Sequence, residues 1–310
     1  MRALTWLIPL ILMTGTAKAQ VVDPDASLVE ELVVTARLPG PAWWKVSDAD
    51  STVYVLGVPS VVPKGLAWDQ AGVARRMEGA NRVILPFNQV GISLTKAPVA
   101  VVGVLRLRSK LPYEETLSPS LKARFVAART GMGQPASRYR FNNGLVAGIM
   151  LAGDGREAVQ LTAADPGKTI RRLAKVRKLK VEEKVYDLTA LMGPMLKTSQ
   201  AGQLACLEDA LDDVEAGPGN VRRAAKAWAE GEVRAALNVE RGFERCLLAA
   251  PGALAFDARF KADQADAIAR ALKVPGHSVA VVQLRPLLAK GGVLDRLRDQ
   301  GFEIETPDAE

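Results

Sequence analysis

Two short apolar runs at opposite ends of the chain constrain its fold more than any other feature. Near the N-terminal end stands Thr52-Val53-Tyr54-Val55-Leu56, closed by Gly57; near the C-terminal end stands Ser278-Val279-Ala280-Val281-Val282-Gln283-Leu284. Both are too short for a typical helix and rich in Val, and the second is apolar almost without a break. The first reads as a buried strand ending at Gly57 and the second as a strand. Between the two runs the pattern is mostly helical. The fold class that follows is α/β, with a central β-sheet built from the N- and C-terminal segments, flanking helices and a largely helical middle insert at about residues 118–250.

The local signals fill in this frame. Lys45-Val46-Ser47, the turn Asp48–Ser51 and the run from Thr52 read as a hairpin. Residues 66–77 read as a helix, and Arg82–Leu85 as a strand stopped by Pro86. The Val- and Leu-rich residues 89–107 read as one or two further strands. Ser118-Pro119 is an N-cap followed by a first-turn proline, opening a helix over 120–128. Further helices are expected at 139–152, 166–178, 187–196, 199–215, 219–236 and 239–249, with a short strand at 184–187. Gly131-Met132-Gly133 and Gly153-Asp154-Gly155 read as turns, too short for phosphate loops. The closing segment reads as helix 257–272, strand 278–284, helix 292–300 and strand 302–304.

The first nineteen residues have the layout of an export leader. Arg2 precedes the apolar run Leu4–Met13, and Ala17-Lys18-Ala19 is a small-x-small cleavage pattern. A cleaved leader implies a periplasmic protein that begins at Gln20, followed by an extended Pro-, Asp- and Val-rich tail over 20–40. Losing Arg2 and Lys18 with the leader lowers the net charge from +7 to +5. That value is mild for the length and does not suggest a nucleic-acid partner. An even count of two cysteines in an oxidising compartment favours a bridge between Cys206 and Cys246 over two buried free thiols.

Residues Pro41-Ala42-Trp43-Trp44-Lys45-Val46 and Ser51–Gly57 resemble the TraB/GumN family, which is related to the Tiki proteins. The closing segment agrees: Ser278–Val282, then Gly291-Gly292-Val293-Leu294, then Gly301-Phe302. The acidic stretch Cys206-Leu207-Glu208-Asp209-Ala210-Leu211 fits as well, and the likeness covers about residues 41–306. In that family the first strand ends in Gly-Thr-x-His, and a later one in Gly-x-x-His. Here the first motif is Gly57-Val58-Pro59-Ser60, with Ser60 in place of the histidine. The second is Gln283-Leu284-Arg285-Pro286, with Pro286 in place of the other. The family Glu after the next strand falls on Pro86, and the family Glu-Arg-Asn on Arg259-Phe260-Lys261. The resemblance thus implies a degenerate motif set at Gly57, Ser60, Pro86, Gln283 and Pro286.

The residue inventory points the same way. A catalytic zinc site commonly takes three protein ligands and an open position, but the chain has one histidine, His277, in a loop-like Pro275-Gly276-His277 context. No clustered Asp/Glu loop suggests a Mg²⁺ or Ca²⁺ site, no catalytic residue is assigned, and no cofactor is expected. The favoured function is a non-catalytic periplasmic binding or regulatory role, with Ser60, Asn88, Gln283 and Arg285 lining a persisting cleft for a peptide or envelope partner. Two alternatives stand beside it. One is a hydrolase with a rebuilt, metal-independent site that uses Ser60. The other is an accessory of TonB-linked uptake, because residues 29–37 (Val29-Glu30-Glu31-Leu32-Val33-Val34-Thr35-Ala36-Arg37) resemble the segment with which TonB-dependent transporters begin. Finally, Lys168, Arg171, Arg172, Lys175, Arg177, Lys178 and Lys180 form a basic stretch beside Ile170, Leu173 and Val176. It is either a solvated helix face, turned toward the acidic stretch 208–215, or a contact for an anionic partner such as a membrane surface or an acidic protein surface.

Overall fold

The computed structural model describes residues 22–36, 39–85, 89–91, 94–187 and 189–308. The leader with its cut after Ala19, and positions Arg37, Pro86 and Asn88, lie outside the described residues. In chain order, the N-terminal part forms β1 (Trp43–Ser47), β2 (Ser51–Val58), β3 (Val62–Pro63), α1 (Gln70–Arg76), β4 (Arg82–Ile84), β5 (Gln89–Gly91) and α2 (Ala97–Arg106). The insert holds α3 (Pro119–Gly131), α4 (Gly144–Ala158), β6 (Leu161–Thr162), α5 (Asp165–Val176), β7 (Lys180–Glu182), β8 (Val185–Asp187), α6 (Thr189–Leu196), α7 (Gln200–Ala216), α8 (Gly219–Ala229), α9 (Val233–Ala236) and α10 (Gly242–Leu248). The chain returns through α11 (Ala253–Leu272), β9 (Gly276–Gln283), α12 (Leu284–Leu288), α13 (Val293–Asp299) and β10 (Glu303–Glu305).

The two terminal runs lie side by side as the expected α/β frame requires. β2 and β9 pair in parallel from Ser51 opposite Gly276 to Val58 opposite Gln283. Around them runs a six-stranded mixed sheet in the order β10-β1-β2-β9-β4-β7. Asp48 closes the β1–β2 hairpin by accepting from the Ser51 N–H at 3.0 Å and the Ser51 hydroxyl at 2.6 Å, a short-range signal that Asx turns make legible. Residues Ser278–Val282 are fully buried, with α11, α12 and α13 packed on the sheet. One strand comes from outside the terminal segments: β7, in the insert, joins the sheet edge parallel to β4.

Several local expectations change. Among the described residues of 89–107 there is one short strand, β5, and the Val-rich part is the helix α2, opened by a first-turn Pro98. Proline there is pre-organised for a helix start, and tertiary context outweighs the strand preference of valine. The expected helix 219–236 is two helices. It breaks at Gly231, where a Cβ would sit 2.8 Å from both the Ala36 Cβ and the Gly40 carbonyl oxygen, because the N-terminal segment crosses there. Gly153-Asp154-Gly155 is not a turn but the middle of α4. Lys180 leaves α5 for β7, and Val176, read as apolar-face, is 71% exposed.

A second core holds α3, α4, α7 and α10 together around Phe125, Tyr139, Leu151, Leu207 and Leu211. α4 turns small residues to α7: a Cβ on Gly148 would lie 2.7 Å from Cys206 Sγ, and one on Gly155 2.6 Å from Val214 Cγ2. Cys206 on α7 and Cys246 on α10 form a disulfide. Closing a loop of 40 residues removes unfolded-state freedom worth about 4 kcal/mol in the chain-entropy model.

Among its described residues, the tail expected over 20–40 carries little regular structure beyond one 3-10 turn at Glu30–Leu32, yet these residues are docked. Val29, Leu32 and Val33 are buried in the sheet core. The Val29 N–H donates to the Leu288 carbonyl at 2.9 Å, the Ala36 N–H to Gly231 at 3.1 Å, and the Trp44 indole N–H to Leu32 at 3.3 Å.

Candidate functional site

In parallel α/β sheets, open crevices form at the carboxyl ends of the strands. β2 and β9 end together, at Val58 and Gln283. There a cavity of about 420 Å³ opens between the sheet and the insert. Its sheet wall carries Ser60, Gln283, Arg285 and Pro286; its helical wall carries Arg156, Asp213, Glu240, Arg241 and Glu244 among Val159, Val214 and Leu237. Four of the residues singled out from the motifs are therefore neighbours around one space.

Gly57 stands just behind this wall and has a steric reason to be glycine. A Cβ there would lie 2.5 Å from Leu284 Cδ1 and 3.0 Å from the Trp44 ring, so α12 can start against the strand only if that side chain is missing. The Gly57 carbonyl accepts from the Trp228 indole N–H at 2.6 Å, tying α8 of the insert to the end of β2. Gln283 is both the last residue of β9 and the N-cap of α12, and Pro286 sits buried in the first turn of α12, where proline is tolerated. The expected strand end at Leu284 is thus the first residue of a helix.

His277 lies at the other end of β9, opposite Thr52, about 20 Å from Gln283 at the usual strand rise. Its Nε2 donates to the Arg76 carbonyl at 3.2 Å and its ring meets Tyr54 edge-on at 5.9 Å between centroids. The one imidazole is therefore occupied far from the cleft. Among the described residues, no group of three or more His, Cys, Asp and Glu side chains is placed to hold a metal ion.

Most ionisable groups of the cleft are on the helical wall. Burial pushes the Asp213 carboxyl up to about 6, and the nearby negative charge of Glu244 adds to the effect, against the pull of Arg156 and Arg245. The packing is close: a Cβ on Gly242 would lie 2.6 Å from both Asp213 carboxylate oxygens. On the opposite side, burial lowers the Arg285 guanidinium, with Arg241 beside it acting in the same direction. Arg285 donates to the carbonyls of Leu237 and Asp25, the latter at 3.4 Å.

Next to this wall Asp23 and Asp25 of the tail join a largely buried charge network. Arg241 pairs with Asp23, and with Asp25 at 2.9 Å. Lys261, only 3% exposed, reaches Asp25 at 2.5 Å and Asp257 at 2.7 Å. Burial raises the Asp257 carboxyl despite the ammonium of Lys261. Of the triplet aligned with the family Glu-Arg-Asn, then, Lys261 is an internal counter-ion, while Arg259 is exposed and 4.0 Å from Asp263. None of Asp23, Asp25, Asp213 or Arg241 stood out in the sequence.

The basic stretch of α5 is partly engaged within its own neighbourhood: Glu183 neutralises Arg171 at 2.6 Å, and Arg172 donates to the uncharged Gln70 amide at 2.9 Å. The acidic face of α7 pairs elsewhere, Asp212 and Glu215 with Arg124 and Asp209 with Arg245.

A family model described as the TraB/PrgY/gumN family matches residues 42–306. No curated protein and no solved structure matches the chain.

Proposed function

The chain belongs to the TraB/PrgY/gumN family, and from that premise we propose that it is an exported, periplasmic, non-catalytic member whose cleft serves a binding or regulatory role for a peptide or envelope partner. The observation that carries this is the makeup of the sheet wall. At the strand ends where the resemblance expects motif histidines stand Ser60 and Pro286, and the neighbouring Arg285 is engaged with two backbone carbonyls. What remains is a concave space with an apolar lining and charges of both signs on one side, the combination that suits a polar-backboned ligand such as a peptide. The leader-like residues 1–19 support export, and a disulfide between Cys206 and Cys246 fits an oxidising compartment.

The test is to load the purified chain with zinc, remove the excess, and incubate it with a mixture of synthetic unstructured dodecapeptides. Metal content and peptide masses are then measured. The proposal expects intact peptides and less than stoichiometric zinc. Stoichiometric zinc with zinc-dependent cleavage overturns it.

The rebuilt hydrolase is favoured by one observation, the carboxyl of Asp213 raised to about 6 in the cavity that Ser60 also lines, since a general acid or base works best near the ambient pH. Metal-independent cleavage lost in both Ser60→Ala and Asp213→Asn establishes that version instead. A TonB contact through residues 29–37 would have to exchange the hydrogen bonds of Val29 and Ala36 for those of an added strand. Equal recovery of a TonB domain by chains with and without residues 28–38 rejects it.

A further inference from the structure

α2 is an amphipathic helix turned inside out. Gly103 and Leu107 face inward, Leu107 against Val146 and Met195, whereas Val101, Val102, Val104 and Leu105 are 58, 47, 55 and 56% exposed. Just beyond, Leu111 is 61% and Phe141 36% exposed. Phe141 belongs to the same surface: the Ser109 N–H donates to its carbonyl at 2.7 Å, and Arg108 and Arg140 lie 5.3 and 5.2 Å from its ring centroid. Contiguous apolar patches of this kind mark interaction surfaces.

The charge around the patch has one sign. No Asp or Glu occurs between Glu78 and Glu114, while Arg106, Arg108 and Lys110 fall within it. The acids that flank it are already paired: Asp187 with Lys96, Glu114 with Arg129, and Glu115 with Lys122. A symmetric contact between two copies through this face would set basic rim against basic rim. With ten residues, α2 is about 15 Å long, too short to cross a hydrocarbon core of about 30 Å, and no helix among the described residues is long and apolar enough to do so.

We propose that this face docks in the plane of an anionic lipid bilayer. Val101, Val104, Leu105 and Phe141 enter the acyl boundary, and Arg106, Arg108 and Lys110 meet the lipid phosphates. The site is separate from the cleft and stands whether or not the cleft binds a peptide.

The test uses the chain from residue 20 onward, which contains every described element. It is sedimented with vesicles of phosphatidylcholine alone or with about 30% phosphatidylglycerol, a composition that makes the headgroup potential the only variable. Binding is expected on the anionic vesicles alone. Replacing Arg106, Arg108 and Lys110 with Gln is expected to weaken it on the order of 100-fold at roughly one tenfold-or-less factor per charge, and Val101→Ser with Leu105→Ser about tenfold. Melting curves check that both variants fold, and Leu105→Trp supplies a reporter whose emission shifts to the blue on anionic vesicles. The proposal is overturned by a folded chain that ignores both vesicles, by variants that bind as the parent does, by an unshifted indole emission in the Leu105→Trp chain, or by a dimer that the serine pair dissolves.

Discussion

The two walls of the cleft differ in what they carry. The sheet wall, set by the ends of β2 and β9, offers Ser60, Gln283 and Pro286, and the one charge on it, Arg285, is held by backbone carbonyls. The helical wall, contributed by the insert, carries Asp213, Glu240, Glu244, Arg156 and Arg241. Topology places the crevice, because parallel strands that end together leave a gap there. Its charge comes from elsewhere in the chain. In this protein the positions that locate the site and the groups that can titrate in it belong to different structural units, so motif positions alone do not describe its chemistry.

Mutations can pull these contributions apart. The helical wall rests on the disulfide between α7 and α10, so Cys206→Ala with Cys246→Ala is expected to cost about 4 kcal/mol of stability by denaturant unfolding, an effect absent when parent and variant are both reduced. The junction between the walls rests on Asp25, buried against Arg241 and Lys261. Removing that carboxylate leaves the buried Lys261 and the largely buried Arg241 each short of a partner, and Asp25→Ala should cost about 3 kcal/mol. The sheet wall rests on close packing at Gly57, and Gly57→Ala should cost about 2 kcal/mol, since Leu284 and Trp44 must both move.

The smallest effect has a pH signature. Asp213 in the folded chain titrates at about 6, above the ordinary 3.8, so the folded state holds its proton more tightly than the unfolded one. The resulting stabilisation is present below pH 4, is lost as pH rises through about 6, and is absent above that. Asp213→Asn should therefore raise stability at pH 8 by on the order of 1–2 kcal/mol after allowance for solvent screening, with no gain at pH 3.5. An unchanged difference across that range would show that Asp213 is not desolvated, and that the helical wall is as wet as an open surface.

How much of this was legible follows from what each pattern encodes. Ser278–Val282 is buried on both faces, whereas Thr52–Leu56 buries Val53, Val55 and Leu56 and leaves Thr52 and Tyr54 half-buried; both runs are still legible as strands from their β-branched, apolar makeup, and the frame follows from them. Ser60, Gln283 and Arg285 were legible as positions through the family resemblance, whose two motifs fall at strand ends, although only the first, at Gly57, keeps its glycine here. α2 was not, since a Val-rich run has the composition of a strand and only its Pro98 start and its inward Gly103 and Leu107 make it a helix. Asp213 was equally hidden. A carboxylate among the acids of α7 reads as solvated, and what sets it apart is Gly242 from another helix, closing over it. Asp23 and Asp25 read as tail polarity for the same reason: their partners, Arg241 and Lys261, lie more than two hundred residues away in sequence.

The most direct measurement is the affinity of a cleft ligand with and without the cavity. Peptides selected from a random dodecamer display library on the immobilised chain can be titrated against the parent and against Ser60→Trp, whose indole would fill the sheet wall. The account predicts saturable binding that Ser60→Trp weakens at least about tenfold, roughly the loss of one good apolar contact surface. Failure to recover any peptide, or equal affinity for the parent and a folded Ser60→Trp chain, would contradict it.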